Sequence, residues 1–91
     1  MQVSFHATLR PIVGGKIVEV PFAPGDTVRD LMVAMVDRWP ELAEHVYDED
    51  GRLSRRVAIF VDGRNVRWLE GEETGIEPGQ KVAIFPPVAG G

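Results

Sequence analysis

The chain has 91 residues, 44% of them hydrophobic and 26% charged, and no cysteine; that length supports one globular core and is too short for a substrate domain beside a cofactor domain. The missing thiols exclude disulfides, thiolate metal sites, Cys-ligated iron-sulfur clusters and cysteine nucleophiles. A net charge of -4 and a pI near 5.0 remove the main attraction toward phosphate backbones, and no apolar run approaches the ~20 residues that span a bilayer, so a cytoplasmic protein without nucleic-acid or membrane partners is expected.

Val3, Phe5, Ala7 and Leu9 alternate with polar neighbours, a period of two that predicts a half-buried first strand ending at Arg10-Pro11. Gly14-Gly15 predicts a turn, after which Val18, Val20 and Phe22 repeat the alternation as the second arm of a hairpin, with Pro21 marking an edge or a strand end. Pro24-Gly25-Asp26-Thr27 closes that arm and opens a helix, because Asp26 or Thr27 can accept from the unpaired amides of the first turn, with Asp30 near its positive end. Val28, Leu31, Met32, Met35, Val36 and Trp39 then recur at spacings of three and four, the pattern of an amphipathic helix lying on a sheet; Pro40 stops it, and a short turn through Leu42 and Val46 follows.

Asp48 to Arg52 is polar and turn-like, Val57 to Val61 is an unbroken apolar run that predicts an interior strand, and Asp62-Gly63 bounds it. Asn65 to Trp68 is expected to return as a short strand, Leu69 to Glu77 as a loop, and Lys81 to Phe85 as the last strand after the Pro78-Gly79 turn. The order β-β-α-β-β predicts an α+β domain with the helix on one sheet face and the other face open. Alternation separates the branched Val57, Ile59, Val61, Val82 and Ile84 from Ala58, Phe60, Ala83 and Phe85; with the branched set placed against the helix, the other four form the open face, an apolar patch suited to a docking partner.

Catalytic and metal-binding constellations are scarce. His6 and His45 stand alone and read as ordinary surface histidines; Asp48, Glu49 and Asp50 lack the spaced ligands of a calcium loop and read as a solvated acidic turn. Gly14-Gly15 lacks the further residues of a phosphate loop, and Arg55, Arg56, Arg64, Arg67 and Lys81 read equally as steering charges or scattered surface charge. No catalytic residue, bound cofactor or metal site is expected. The end of the chain is different. Pro86 and Pro87 keep the backbone extended and out of the sheet, and Val88, Ala89, Gly90 and Gly91 taper toward the carboxylate, so a narrow tunnel can admit them and a catalytic backbone can approach closely.

Across nearly its whole length the chain resembles the ThiS/MoaD family of ubiquitin-like sulfur carriers. The resemblance is carried by Gly25-Asp26-Thr27-Val28-Arg29-Asp30-Leu31, by Val61-Asp62-Gly63-Arg64-Asn65-Val66-Arg67, by Glu77-Pro78-Gly79-Gln80-Lys81-Val82, and most specifically by Phe85-Pro86-Pro87-Val88-Ala89-Gly90-Gly91. It implies a β-grasp fold over residues 1–85 and a projecting tail over 86–91. It further implies that the Gly91 carboxylate is adenylated by an ATP-using enzyme of the ubiquitin-activating type and becomes a thiocarboxylate, with Pro87, Val88, Ala89 and Gly90 entering the partner's active site. The implied partners are that adenylyltransferase, a sulfurtransferase or other sulfide donor, and a sulfur-acceptor enzyme. The acceptor pathway stays open between a cysteine-synthesis carrier, which the insertion from Asp48 to Arg55 favours, the small subunit of molybdopterin synthase, and a tRNA or thiazole carrier. A modifier joined to lysines and a β-grasp interaction module with an inert tail are the readings from other classes. Asp62-Gly63 stands where relatives often have Asn-Gly.

Overall fold

The structure, a computed structural model, describes residues 1–86. Its sheet is assembled from β1 (Gln2–Phe5), β2 (Ile17–Glu19), β3 (Ala58–Val61), β4 (Arg64–Asn65) and β5 (Val82–Phe85), in the order β2-β1-β5-β3-β4. The central pair β1 and β5 is parallel and every other pair antiparallel. Helices α1 (Arg10–Val13), α2 (Val28–Arg38) and α3 (Ala43–Val46) complete the regular elements, with short 3-10 turns between them. This is the mixed sheet with one main helix that defines the β-grasp. Among the described residues, no helix is long and apolar enough to cross a membrane.

Helix α2 begins where its sequence directs. The Thr27 hydroxyl accepts from the Asp30 backbone N–H at 3.3 Å and the Asp30 carboxylate accepts from the Thr27 backbone N–H at 2.9 Å, a reciprocal capping box that satisfies two amides and places a negative charge at the positive end. Val28, Leu31, Met32 and Met35 share one buried core with Ile59, Val61, Val82 and Ile84, from the branched set assigned to the helix side, and with Val3 and Phe5 of β1. Each such side chain contributes about 1.5–3 kcal/mol by leaving water. Trp39 ends α2 half-buried, its ring edge-on to Phe5 at 5.9 Å, before Pro40 redirects the chain through Leu42 and Val46, both buried.

The first strand is shorter than its alternation predicts. Pairing ends at Phe5; His6 still donates its N–H to Ile84 O at 3.2 Å, but Ala7 takes a positive φ of 52° and turns the chain into a 3-10 turn over Ala7–Leu9 and then α1. Leu9 is buried, yet its inward partner is Val13, four residues on, so a helical repeat underlies what alternation presented as a strand. Gly14 closes α1 with φ 83° and its N–H on Arg10 O, so it caps a helix instead of turning a two-residue hairpin. The strand expected over Asn65 to Trp68 also shortens: Asn65 Oδ1 accepts from Arg67 N–H at 2.9 Å and starts a 3-10 turn over Val66–Trp68, which leaves Trp68 exposed. Residues 71–73 form a further 3-10 turn inside the expected loop.

Candidate functional site: the helix-free face of the sheet

Pairing register sets out the face opposite α2. Ser4 lies across from Ile17 on one side and Ala83 on the other, Ala83 lies across from Phe60, and Phe60 lies across from Asn65, so one row of five strands runs Ile17, Ser4, Ala83, Phe60, Asn65. Phe85 begins the next row, opposite Ala58 on β3 and beside His6. The four residues expected on the open face, Ala58, Phe60, Ala83 and Phe85, do share it. Phe85 is 37% exposed and the other three are half-buried, while the intervening Ile59, Val61, Val82 and Ile84 are buried.

Three rings organise this face. Phe60 meets Phe85 edge-on with centroids 5.5 Å apart and an interplanar angle of 85°, the diagonal contact of an antiparallel pair. On its other side Phe85 carries the imidazole of His6, stacked at 4.0 Å and 11° from parallel, and His6 Nε2 lies 2.7 Å from Ser4 Oγ. His6 is therefore a member of the patch and not the isolated surface histidine its sequence context suggests. Ile17, 64% exposed, extends the apolar surface to the β2 edge, and Lys81 borders it near Gly63. Sequence alternation already turned His6 and Ile17 away from the core; their union with Phe85 and Phe60 depends on the parallel pairing of the first and last strands, which local pattern does not carry.

The remaining candidates separate. The side chain of Asp48 is engaged by its own turn, accepting from the N–H groups of Asp50 and Arg52 at 3.1 and 3.3 Å. Among the described residues no group of three or more His, Cys, Asp or Glu is placed to hold a metal ion. The positive residues do not converge: Arg67 donates to Arg55 O, Arg56 sits near Pro86, Arg64 lies beside Asp62 and Gln80, and Lys81 borders the open face. Asp62-Gly63 forms the two-residue turn between β3 and β4 with φ values of 50° and 80°. There the Asp62 carboxylate accepts from Lys81 N–H at 2.8 Å and Gln80 Nε2 at 3.3 Å, tying the turn to the start of β5. Burial first, and then the negative charge of Glu72, push the Tyr47 hydroxyl above 10.0, with Arg29 opposing.

Beyond Phe85, Pro86 is buried and lines a surface depression together with Thr8, Glu44, Tyr47 and Arg56. Pro87, Val88, Ala89, Gly90 and Gly91, the expected working end, lie outside the described residues.

A model of the ThiS family matches residues 3–91, which includes that end. The chain belongs to the ThiS family. It is 34% identical over 91 residues to small archaeal modifier protein 3 of Haloferax volcanii, covering 100% of this chain and 98% of the relative. It is 35% identical over 91 residues to the sulfur carrier protein CysO of Mycobacterium tuberculosis, covering 98% of this chain and 96% of that one. Among solved structures, the crystal structure of the Amycolatopsis orientalis BexX/CysO complex superimposes with a TM-score of 0.82 at 31% identity, covering 99% of this chain and 98% of that one. This ThiS-family chain thus stands among small sulfur carriers and ubiquitin-like modifiers.

Proposed function

We propose that this protein is a sulfur carrier whose Gly91 carboxylate is adenylated and converted to a thiocarboxylate, which donates sulfur in the biosynthesis of cysteine or another sulfur-containing metabolite. Residues 1–85 act as the docking domain and 86–91 as the tail that enters the partner. The observation that carries the reading is continuity: the apolar face formed by Ala58, Phe60, Ala83 and Phe85 includes the strand β5, and β5 leads directly into Pro86 and the Gly-Gly end. An apolar patch that no layer covers among the described residues favours a protein partner, and the likeness to a CysO solved in complex with BexX supports a docking role.

A free carboxylate is a poor electrophile. When its oxygen attacks the α-phosphorus of ATP, pyrophosphate leaves and the acyl group is joined to AMP in a mixed anhydride. Hydrosulfide then attacks the acyl carbon, the new C–S bond replaces the C–O bond to AMP, and the thiocarboxylate results. The carrier supplies no catalytic group to either step; ATP belongs to the activating adenylyltransferase, and the sulfide to a sulfurtransferase or other donor. Docking contributes position, converting an encounter between two proteins into a reaction within one complex. Transfer of the sulfur to an acceptor enzyme completes the cycle. The small subunit of molybdopterin synthase is the alternative destination within the same chemistry.

The decisive experiment is intact mass after incubation with ATP, sulfide and extract of the source cells. A gain equal to one sulfur minus one oxygen, lost when Gly91 is deleted, is expected; no gain in the presence of a demonstrably working activating enzyme refutes the reading. A second reading, attachment of Gly91 to lysine amines, is favoured by the full-length likeness to small archaeal modifier protein 3. Covalent ladders in extract that require Gly91 would support it.

A further inference from the structure

The His6–Phe85 stack stands at the root of the segment that, on the sulfur-carrier reading, must deliver its end to a partner. Phe85 is the last residue of β5, and Pro86 restricts it to extended backbone. Rotamer choice and backbone angles are coupled, so whatever fixes the Phe85 ring also narrows the direction in which the chain continues. The ring is held from two sides, by the imidazole face of His6 at 4.0 Å and by the edge contact with Phe60. His6 is itself fixed by its N–H bond to Ile84 O and by the 2.7 Å contact of Nε2 with Ser4 Oγ.

The backbone next to His6 is unusual. Ala7 adopts φ 52°, a left-handed conformation that is strained for an L-residue with a Cβ. That bend ends β1 just after His6 has lain against Phe85, and it brings Thr8 to a depression that Pro86 also lines. Strain of this kind at a partly exposed strand end is the sort of feature that marks a functional position. The Gly91 carboxylate lies six residues beyond Phe85, so on the sulfur-carrier reading the direction in which the chain leaves β5 bears on where that carboxylate arrives. A misplacement of about 1 Å at a reacting centre can lower a rate by 10²-fold.

We infer that His6 is a positioning residue: its imidazole, stacked on Phe85, sets the direction of the chain at Phe85–Pro86 and so the placement of Gly91 in the activating enzyme. This rests on the sulfur-carrier reading. The role belongs to the planar ring and not to its nitrogens, which makes it separable from the contact with Ser4.

The test compares the native protein with His6→Ala and His6→Phe, each first shown to be folded at the assay temperature. The rate of mass gain with ATP and sulfide is followed as carrier concentration is varied against a fixed amount of source extract. His6→Ala is expected to lower the limiting rate about tenfold or more while the half-saturating concentration stays within about twofold. His6→Phe, which keeps a stacking ring, restores the rate. An unchanged limiting rate in His6→Ala, an effect on half-saturation alone, or failure of His6→Phe to restore the rate overturns the inference. An independent arm needs no partner: in the free protein the amide resonances of Val88 and Ala89 shift in His6→Ala and return in His6→Phe, and resonances that stay in place refute the inference. If the native protein gains no sulfur while those amides behave as expected, the sulfur-carrier reading fails, and with it the placement of Gly91 in an activating enzyme, while the control of chain direction by His6 stands.

Discussion

Phe60→Ala separates the open face as a docking surface from the open face as a part of the core. Phe60 is half-buried and its ring makes an edge contact with Phe85 at 5.5 Å, while its face of the sheet has no helix to leave a sealed cavity. Truncation therefore removes one aromatic pair, worth about 0.5–1.5 kcal/mol, and part of the transfer energy of a ring that water already reaches. The loss of stability should be about 1–2 kcal/mol, below the 3–5 kcal/mol of a fully enclosed phenylalanine. For a domain of this size that lowers the melting temperature by roughly 4–16 °C. An aromatic anchor at the centre of an interface, by contrast, commonly costs about 2 kcal/mol or more of binding, a weakening of roughly 30-fold. Val33→Ala is the control, since Val33 is 57% exposed on α2, the opposite layer. The assay pairs thermal unfolding with the concentration dependence of ATP-driven mass gain in source extract. A folded Phe60→Ala protein with half-saturation within about twofold of native refutes docking through this face, as does an equal loss in Val33→Ala.

The remaining predictions concern stability. Thr27→Ala removes one arm of the α2 capping box and should cost about 1 kcal/mol in denaturant unfolding, whereas Thr27→Ser should hold close to native; equal losses would mean that the hydroxyl bonds seen at 3.3 and 3.1 Å contribute nothing. Asp62→Ala loses the acceptor for Lys81 N–H and Gln80 Nε2 at a position with φ 50°, and should cost about 2 kcal/mol. Asp62→Asn, which can still accept and tolerates that φ, should stay within about 0.5 kcal/mol of native by the same measurement. Tyr47 holds its proton more tightly folded than unfolded, so its contribution is fully present below 10.0 and is lost as pH rises through its elevated folded value. Melting temperature should accordingly fall more steeply in the native protein than in Tyr47→Phe between roughly pH 9 and 11; matching slopes would contradict the burial of the hydroxyl.

The most legible element in the sequence is α2, because three independent local signals coincide there: the spacing of Val28, Leu31, Met32 and Met35, the Thr27–Asp30 box, and Pro40 as a stop. The two faces of β3 and β5 are legible as well: alternation separates two apolar sets, and the branched Ile59, Val61, Val82 and Ile84 are the set that packs beneath the helix. Errors fall where two periods fit the same residues. Leu9 satisfies a two-residue repeat with Phe5 and a four-residue repeat with Val13, and the positive φ of Ala7 decides between them without leaving a mark on composition. Asn65 is similar: its side-chain oxygen accepts a hydrogen bond from the backbone N–H of Arg67 and ends β4, and nothing in the apolar pattern of Val66 and Trp68 reveals it. At the candidate site, Phe60 and Phe85 follow from local pattern. His6 and Ile17 do not, because their place beside those rings is fixed by the parallel pairing of β1 with β5, residues about eighty positions apart.

That pairing has a consequence for biogenesis. β5 occupies the middle of the sheet, bonded on one side to β1 and on the other to β3. As translation runs from β1 toward β5, the emerging chain can make α2 and the β1–β2 pair early, but the sheet has a gap at its centre until the residues of β5 have left the ribosome. A chain interrupted before Val82 would expose the inner edges of β1 and β3 and the apolar face of α2, the features that quality-control proteases and chaperones recognise. Closure of the sheet and assembly of the Phe60–Phe85–His6 surface are thus one event, which waits for β5.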